Sequence, residues 1–136
     1  MKTPRLESIV FSALLLSMSA PPTSANETPI EEIGELLATD GEKVDHFGES
    51  IAISGTTAII GADRDDDNGD DSGSAYLFDL STGEQITKLL PSDGEAGDHF
   101  GHSVAIDGSI AVIGAFLGDD RGEDSGSVYV FDVATG

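Results

Sequence analysis

The chain has 136 residues, a length that predicts a single domain. Its formal net charge of −20 excludes nucleic acid as a natural partner and disfavours anionic membrane surfaces, because both require clustered Lys and Arg. The absence of cysteine excludes disulfides, thiolate metal sites and a cysteine nucleophile.

The N-terminus has the features of an export signal. A short basic region precedes an apolar run from Ile9 to Ala20, which is too short to span a bilayer but suits the core of a signal peptide. Small residues up to Ala25 predict cleavage after that residue. We therefore predict a signal peptide over residues 1–25 and a short linker over 26–30, with no transmembrane segment after cleavage. The predicted location is secreted, periplasmic or at the cell surface.

The rest of the chain consists of two copies of one unit. The stretch "DGEKVDHFGESIAISGTTAIIGA" from Asp40 returns as "DGEAGDHFGHSVAIDGSIAVIGA" from Asp93, and "DSGSAYLFDLSTG" returns as "DSGSVYVFDVATG". The offset from Asp40 to Asp93, 53 residues, is kept without insertion. This predicts one repeat over residues 31–83 and a second over 84–136.

Each unit is predicted to contain four short β-strands, because its apolar runs are rich in β-branched and aromatic residues and are bounded by Gly, Ser and Asp. The strands are predicted at residues 32–38, 49–54, 57–62 and 74–79, and again at 84–90, 102–107, 110–115 and 127–132. A tandem repeat of this kind predicts an all-β chain of two four-stranded antiparallel blades of the β-propeller type. A compact eight-stranded sandwich is the alternative.

One pair of dipeptides recurs in each unit: Phe47-Gly48 with Gly61-Ala62 in the first and Phe100-Gly101 with Gly114-Ala115 in the second, each pair followed by Gly-x-x-Tyr-x-Phe. In this respect the chain resembles FG-GAP repeats, the blades of the integrin α-subunit propeller and of many secreted bacterial proteins. The resemblance implies a propeller that binds ligands extracellularly, with calcium in some blades. Two blades do not close a ring, so a partial propeller is expected.

The sequence departs from the family at two points. The proline that ends the family motif is replaced by Asp63 and Phe116. The family's calcium loop lies between the FG strand and the GA strand, but here that stretch is a tight turn at Gly55 or Gly108 with no cluster of carboxylates. The family's calcium site therefore cannot be carried over to this chain.

An acidic loop, "DRDDDNGDDSGS" at residues 63–74, follows the first GA pair. Calcium takes six to eight oxygen ligands, and a loop supplies them from alternate positions. The predicted calcium ligands are Asp63, Asp65, Asp67, the Gly69 carbonyl and Asp71 in the first loop, and Asp120, the Gly122 carbonyl and Asp124 in the second. The alternative is a solvated acidic loop that holds no fixed ion.

Three other features of the sequence are candidate functional residues. The Asp-His pair of "DHFG" recurs in both units, which favours a turn over acid-base catalysis. Ser103 lies in "GHSVA" without the strand-turn-helix context of a hydrolase nucleophile. His102 replaces Glu49 of the first unit and is interpreted as a surface variation. No catalytic residue is predicted, and Tyr76, Phe78, Tyr129 and Phe131 are predicted to pack in the core.

The combined prediction is an exported, acidic, non-enzymatic binding or adhesion module. Its predicted partner is an extracellular protein or glycan, with calcium as the cofactor that stabilises its loops. One alternative is the N-terminal fragment of a larger secreted enzyme that contains a propeller. Another is a ring assembled from several chains, since open sheet edges permit self-association.

Overall fold

The structure is a computed structural model that describes residues 28–135. The chain divides into two units, Met1–Ile33 and Gly34–Gly136. Residues 28–33, the described part of the first unit, form no helix or strand. The predicted signal peptide lies outside the described residues. Within residues 28–135, no helix is long and apolar enough to cross a membrane.

The second unit contains two open antiparallel β-sheets. Sheet 1 has the strand order β1-β2-β3-β4, and sheet 2 has the order β5-β6-β7. The strands are β1 (Ser50–Ser54), β2 (Thr57–Ala62), β3 (Ser74–Asp79), β4 (Glu84–Leu89), β5 (Phe100–Asp107), β6 (Ile110–Ala115) and β7 (Ser127–Asp132), followed by a 3-10 helix at Val133–Thr135. The predicted all-β class is confirmed, and open sheets are what partial propeller blades should form.

Two details of the predicted strand pattern are wrong. Residues 32–38 form no strand, and sheet 2 has three strands rather than four among the described residues. The reason is that β4, which opens the second predicted repeat, pairs with β3 of the first. A strand requires a neighbouring edge for its backbone hydrogen bonds. The second unit thus offers its first strand to the sheet before it, and among the described residues no sheet precedes residues 32–38.

The hydrophobic core lies between the two sheets. Side chains alternate across each strand, so one face of sheet 1 meets one face of sheet 2. The buried residues of this core are Ile59, Ala75, Leu77, Phe100, Ala111, Ile113 and Ala115. The opposite face of sheet 1 has its own buried cluster, formed by Ala58, Ile60, Ala62, Tyr76 and Phe78 and covered by Leu36, Ala38 and Phe47.

The aromatic side chains repeat their packing from one sheet to the other. Phe47 makes edge contacts with Tyr76 and Phe78, with ring centroids 5.4 and 5.8 Å apart. Phe100 makes the equivalent contacts with Tyr129 at 5.4 Å and Phe131 at 6.1 Å. Tyr76 and Phe78 are fully buried, and Tyr129 and Phe131 pack against the core, so the predicted core role of these four residues is confirmed.

Backbones approach closely where the two sheets meet. The Phe100 N–H donates to the Ser72 carbonyl at 2.9 Å, and the Ser50 hydroxyl donates to the Gly101 carbonyl at 2.7 Å. Gly101 has a φ of 91°, and a Cβ built there would overlap the Ser74 carbonyl oxygen. Only glycine satisfies both the left-handed backbone and the close approach.

Among the described residues, none covers the outer face of sheet 2 at β7. Val128 and Val130 of β7 are 69% and 66% exposed, although both are β-branched residues in mid-strand. Their counterparts in sheet 1, Ala75 and Leu77, are buried against sheet 2. The face of sheet 2 that carries Val128 and Val130 is therefore exposed, whereas the equivalent face of sheet 1 is buried against sheet 2.

Candidate functional site: a repeated acidic pocket

The first acidic loop forms one wall of a cavity of about 270 Å³. The other wall is the turn that precedes β1, so the cavity lies at the loop end of sheet 1. Its lining is almost wholly carboxylate, from Asp40, Glu42, Asp45, Asp65, Asp66 and Asp67. The turn is held by its own side chain, because the Glu42 N–H donates to Asp45 Oδ2 at 2.5 Å.

A lysine side chain forms ion pairs with three carboxylates of this pocket. The Lys88 ammonium of β4 lies 2.9 Å from Asp40, 2.8 Å from Asp65 and 2.6 Å from Asp67. It also lies 5.1 Å from the centre of the Tyr76 ring, whose hydroxyl is 2.8 Å from Asp65 Oδ2. Asp65 is only 3% exposed, and a carboxylate buried to that degree needs a charged partner.

The pKa shifts of Asp65, Asp40 and Lys88 favour their ionised forms. Burial alone would raise the pKa of Asp65, but hydrogen bonds from Lys88 and Tyr76 outweigh it and hold the pKa below its ordinary 3.8. The hydrogen bond from Lys88 likewise lowers the pKa of Asp40. Burial alone would lower the pKa of Lys88, but the surrounding carboxylates raise it above its ordinary value. These directions favour the charged forms of Lys88, Asp40 and Asp65 at neutral pH.

A second pocket repeats the first, one repeat later in the chain. Its volume is about 240 Å³, and it is lined by Asp93, Glu95, Asp98, Asp119 and Asp120. These residues are the counterparts of Asp40, Glu42, Asp45, Asp66 and Asp67. The turn has the same internal bond, with the Glu95 N–H donating to Asp98 Oδ2 at 2.8 Å. The two pockets thus share one framework.

Among the described residues, no lysine or arginine plays the role of Lys88 in the second pocket. Gly118 stands where the first loop has Asp65. Within residues 28–135, the carboxylates of the second pocket have no lysine or arginine at ion-pair distance. Asp120 accepts a hydrogen bond from the Ser127 hydroxyl instead. The second pocket is thus strongly acidic, and the described residues leave that charge uncompensated.

The structure divides the predicted calcium ligands of the first loop among three environments. The Asp63 carboxylate faces histidines, with His102 Nδ1 at 3.0 Å. Asp65 and Asp67 hold Lys88, and Asp71 lies with Asp66 and Asp70 in an exposed acidic group. The Gly69 carbonyl accepts a hydrogen bond from the Ser72 N–H at 3.0 Å. These ligands do not converge on one point in this geometry, and calcium binding by the loop stays a prediction.

The predicted ligands of the second loop are also separated. Asp120 lines the second pocket, whereas the Gly122 carbonyl accepts a hydrogen bond from Ser125 at 3.1 Å. The Asp124 N–H donates to Asp119 Oδ1 at 2.6 Å, and its own side chain is exposed. Among the three, only Asp120 faces the cavity.

Several residues of the pockets were missed from the sequence. Asp40 and Asp45, with their repeats Asp93 and Asp98, belong to turns that lie far from the acidic loops in the chain. Their signal is the spacing shared by the two repeats, "DGE" followed by Asp after two intervening residues. Lys88 gave no signal, because a single lysine in a strand is ordinary. His102, interpreted as a surface variation, is half-exposed but reaches the carboxylate of Asp63.

Tyr129, which is hydrogen-bonded to Asp93 of the second pocket, leads us to expect a loss of stability at alkaline pH. Burial, together with a hydrogen bond to Asp93, raises the pKa of Tyr129 to about 12. In the unfolded chain a tyrosine ionises near pH 10, as a rough reference value. The folded protein thus holds the Tyr129 proton more tightly than the unfolded chain does. The contribution of this proton to stability is complete below about pH 10 and is lost as the pH rises toward about 12.

Thermal unfolding followed across this range checks that expectation. The midpoint should fall with rising pH in the unmodified chain and should fall less in Tyr129→Phe, which has no phenolic proton. The contributions of Tyr76 and Lys88 are common to both proteins and cancel in the comparison. Parallel pH profiles would contradict the assignment to Tyr129.

Comparisons with known proteins identify the repeats. The FG-GAP repeat family matches residues 30–78 and 84–131. No curated protein matches the chain. Among solved structures, the crystal structure of the computationally designed Ika4 protein is 20% identical with a TM-score of 0.48. The match covers 76% of this chain and 50% of that one, so the chain spans half the length of that structure. The family match covers both repeats, and this chain belongs to the FG-GAP repeat family.

Proposed function

We propose that this chain is an exported, non-catalytic binding module that recognises a basic segment of an extracellular protein through its second acidic pocket. One observation carries the proposal. In the first pocket the same framework holds a lysine ammonium, with three carboxylates within 2.9 Å. The second pocket repeats that framework without a cation from the described residues.

The overall charge supports a cationic partner. A net charge of −20 creates a negative potential that steers positively charged molecules toward the surface and repels acidic ones. Lysine and arginine side chains are the groups that this potential and the pocket both favour. Export, which the apolar run near the N-terminus supports, would place the module where adhesion partners are found.

Calcium is the second occupant that we propose for the acidic pockets. Calcium prefers oxygen ligands, and the five carboxylates that line the second pocket offer them. Asp93 and Asp98 would join Asp120, so the set would include residues from outside the loop. The lysine and calcium proposals concern the same carboxylates, and one experiment can distinguish them.

Binding of a fluorescent hexalysine peptide to the full chain tests the basic-partner proposal. We expect saturable binding that is lost when the peptide's lysines are acetylated. Replacing both Asp93 and Asp120 with asparagine should weaken the affinity about threefold to tenfold, since exposed ion pairs contribute roughly 0.2–1 kcal/mol each.

The matched control removes two carboxylates at the other end of sheet 2. Asp107 ends β5 and Asp132 ends β7, whereas the acidic loop joins β6 to the start of β7. The double change Asp107→Asn and Asp132→Asn alters the net charge equally and should leave the affinity nearly unchanged. Equal weakening by both double variants would mean unspecific charge attraction and would overturn the proposal. Displacement of the peptide by calcium, but not by magnesium, would instead support the calcium proposal and count against a basic partner wherever calcium is present.

A further inference from the structure

All three histidines of the chain converge on one carboxylate, that of Asp63. Asp63 follows β2 directly, at the position where the family motif ends. His46 lies in the turn before β1, whereas His99 precedes β5 and His102 lies within it. His46 belongs to the first repeat and is far in the sequence from His99 and His102, which belong to the second. Their meeting point is therefore the junction between sheet 1 and sheet 2.

The two oxygens of Asp63 have different surroundings. Oδ2 lies 3.0 Å from Nδ1 of His102, which is hydrogen-bond distance, and 3.8 Å from Nδ1 of His99. The His99 ring is held in place by the Asp63 backbone carbonyl, 3.1 Å from the same nitrogen. Oδ1 has no hydrogen-bond partner among the described residues, although Asp63 is only 6% exposed. A buried carboxylate oxygen without a partner is costly, and binding of a cation would remove that cost.

The neighbours of Oδ1 are the kind of groups that bind metal ions. His46 Nδ1 lies 3.5 Å away, and ligand atoms of His46, Glu49 and Asp63 all lie within 4.8 Å of one another. The distance of 3.5 Å is longer than a good hydrogen bond. It is close to the spacing of about 3.3 Å between two ligands that are each about 2.0 Å from a tetrahedral ion.

We propose that His46, Glu49 and Asp63 Oδ1 form a site for a divalent transition-metal ion of the zinc type. An imidazole nitrogen combined with carboxylates suits zinc, whereas calcium and magnesium prefer oxygen ligands alone. Three protein ligands leave a fourth position for water. His102 and His99 are positioning residues, because they fix the carboxylate through its other oxygen, as outer-shell partners of metal ligands commonly do.

The rest of the junction fits this arrangement. Phe116 stacks on His99 with ring centroids 5.2 Å apart, and it lies 4.6 Å from His102. His46 is 40% exposed at its side chain, so an ion could reach the site from solvent. In the second repeat Phe116 itself occupies the position of Asp63, and His102 that of Glu49. The same ligand set therefore cannot recur in the second repeat.

The inferred site is distinct from the acidic pockets, since it shares none of their lining residues. Its ligands come from the first repeat and their positioning residues from the second. A bound ion would therefore stabilise the packing of the two sheets as well as the turn before β1. Ligands that bind only the folded form raise the unfolding midpoint.

Titration of the metal-free full chain with Zn²⁺, followed by calorimetry, tests the inference. We expect one equivalent to bind, and Co²⁺ to give the visible absorption of a low-symmetry site. His46→Gln and Glu49→Gln should each weaken Zn²⁺ binding by more than about tenfold, and His102→Gln by about tenfold, the order seen for outer-shell partners. His46 and Glu49 are exposed, so their replacement should preserve the fold, which circular dichroism would verify.

The matched control is Asp70→Asn, which removes a carboxylate from the exposed acidic group of Asp66, Asp70 and Asp71. That variant should bind Zn²⁺ as the unmodified chain does. The absence of saturable binding would overturn the inference. So would a loss of binding in Asp70→Asn with none in His46→Gln, because the ion would then occupy the acidic loop. The result is independent of hexalysine binding, so failure of one proposal leaves the other standing.

Discussion

Replacing Gly101 with alanine should lower the free energy of unfolding by about 4 kcal/mol, combining a left-handed backbone cost of about 1–2 kcal/mol with a steric clash of about 1–3 kcal/mol. Gly101 has a φ of 91°, and a Cβ there would overlap the Ser74 carbonyl of sheet 1. The clash involves backbone on both sides, which cannot move as a side chain can. Urea unfolding followed by circular dichroism measures the loss.

The repeat supplies a matched control for that substitution. Gly48 is the counterpart of Gly101 and has a φ of 98°, but a Cβ there meets nothing within 4 Å. Gly48→Ala should therefore cost only the backbone contribution, about 1–2 kcal/mol. The difference between the two variants isolates the contact between the sheets. Equal losses would mean that sheet 1 and sheet 2 do not pack as described.

Replacing Lys88 with methionine should destabilise the fold by about 3–5 kcal/mol, the usual cost of breaking a buried ion pair on one side. The change leaves the buried carboxylate of Asp65 without its cation, while Asp40 and Asp67 repel one another nearby. Lys43→Met removes the same charge from an exposed position and should have little effect. Urea unfolding at neutral pH compares the two variants.

The acid response provides a second check on the role of Lys88. In the unmodified chain the pKa of Asp65 is lowered. The ionised carboxylate therefore stabilises the fold above the unfolded pKa of about 3.9, and this stabilisation is lost as the pH falls through the folded pKa. Without Lys88, the effect of burial, which raises the pKa of Asp65, is opposed less strongly. Protonation of Asp65 then removes its unpaired charge. The loss of unfolding free energy in Lys88→Met, relative to the unmodified chain, should therefore become smaller below about pH 4. A deficit that stays constant with pH would contradict an electrostatic role.

The sequence predicted the strands well, because their information is local. The short apolar runs of β2 and β3, the turn glycines and the repeat itself specify the all-β class. The exception is residues 32–38, whose composition matches that of β4. Whether such a segment becomes a strand depends on a neighbouring edge, and that edge is a property of the assembled sheet rather than of the segment.

The functional residues could be predicted only in part. The density of carboxylates at residues 63–71 is visible in the sequence, but their partners are not. Lys88 meets Asp65 only because β4 crosses the repeat boundary to pair with β3. The Asp-His pair was interpreted as a turn, and His46 and His99 do adopt left-handed backbones with φ of 59° and 55°. Their convergence with His102 on Asp63 requires the packing of two sheets, which the sequence pattern does not encode locally.

The crossing of β4 into sheet 1 also sets the order of events during synthesis. Sheet 1 lacks its outer strand, and its pocket lacks Lys88, until residues 84–89 have left the ribosome. The first repeat must wait for the start of the second before its acidic pocket can close around a cation. A gene can gain or lose whole repeats at the boundary between residues 83 and 84. Every sheet that is followed by another repeat then still receives its outer strand from that repeat. Such a frame allows the number of blades to change without redesign of the interface between them.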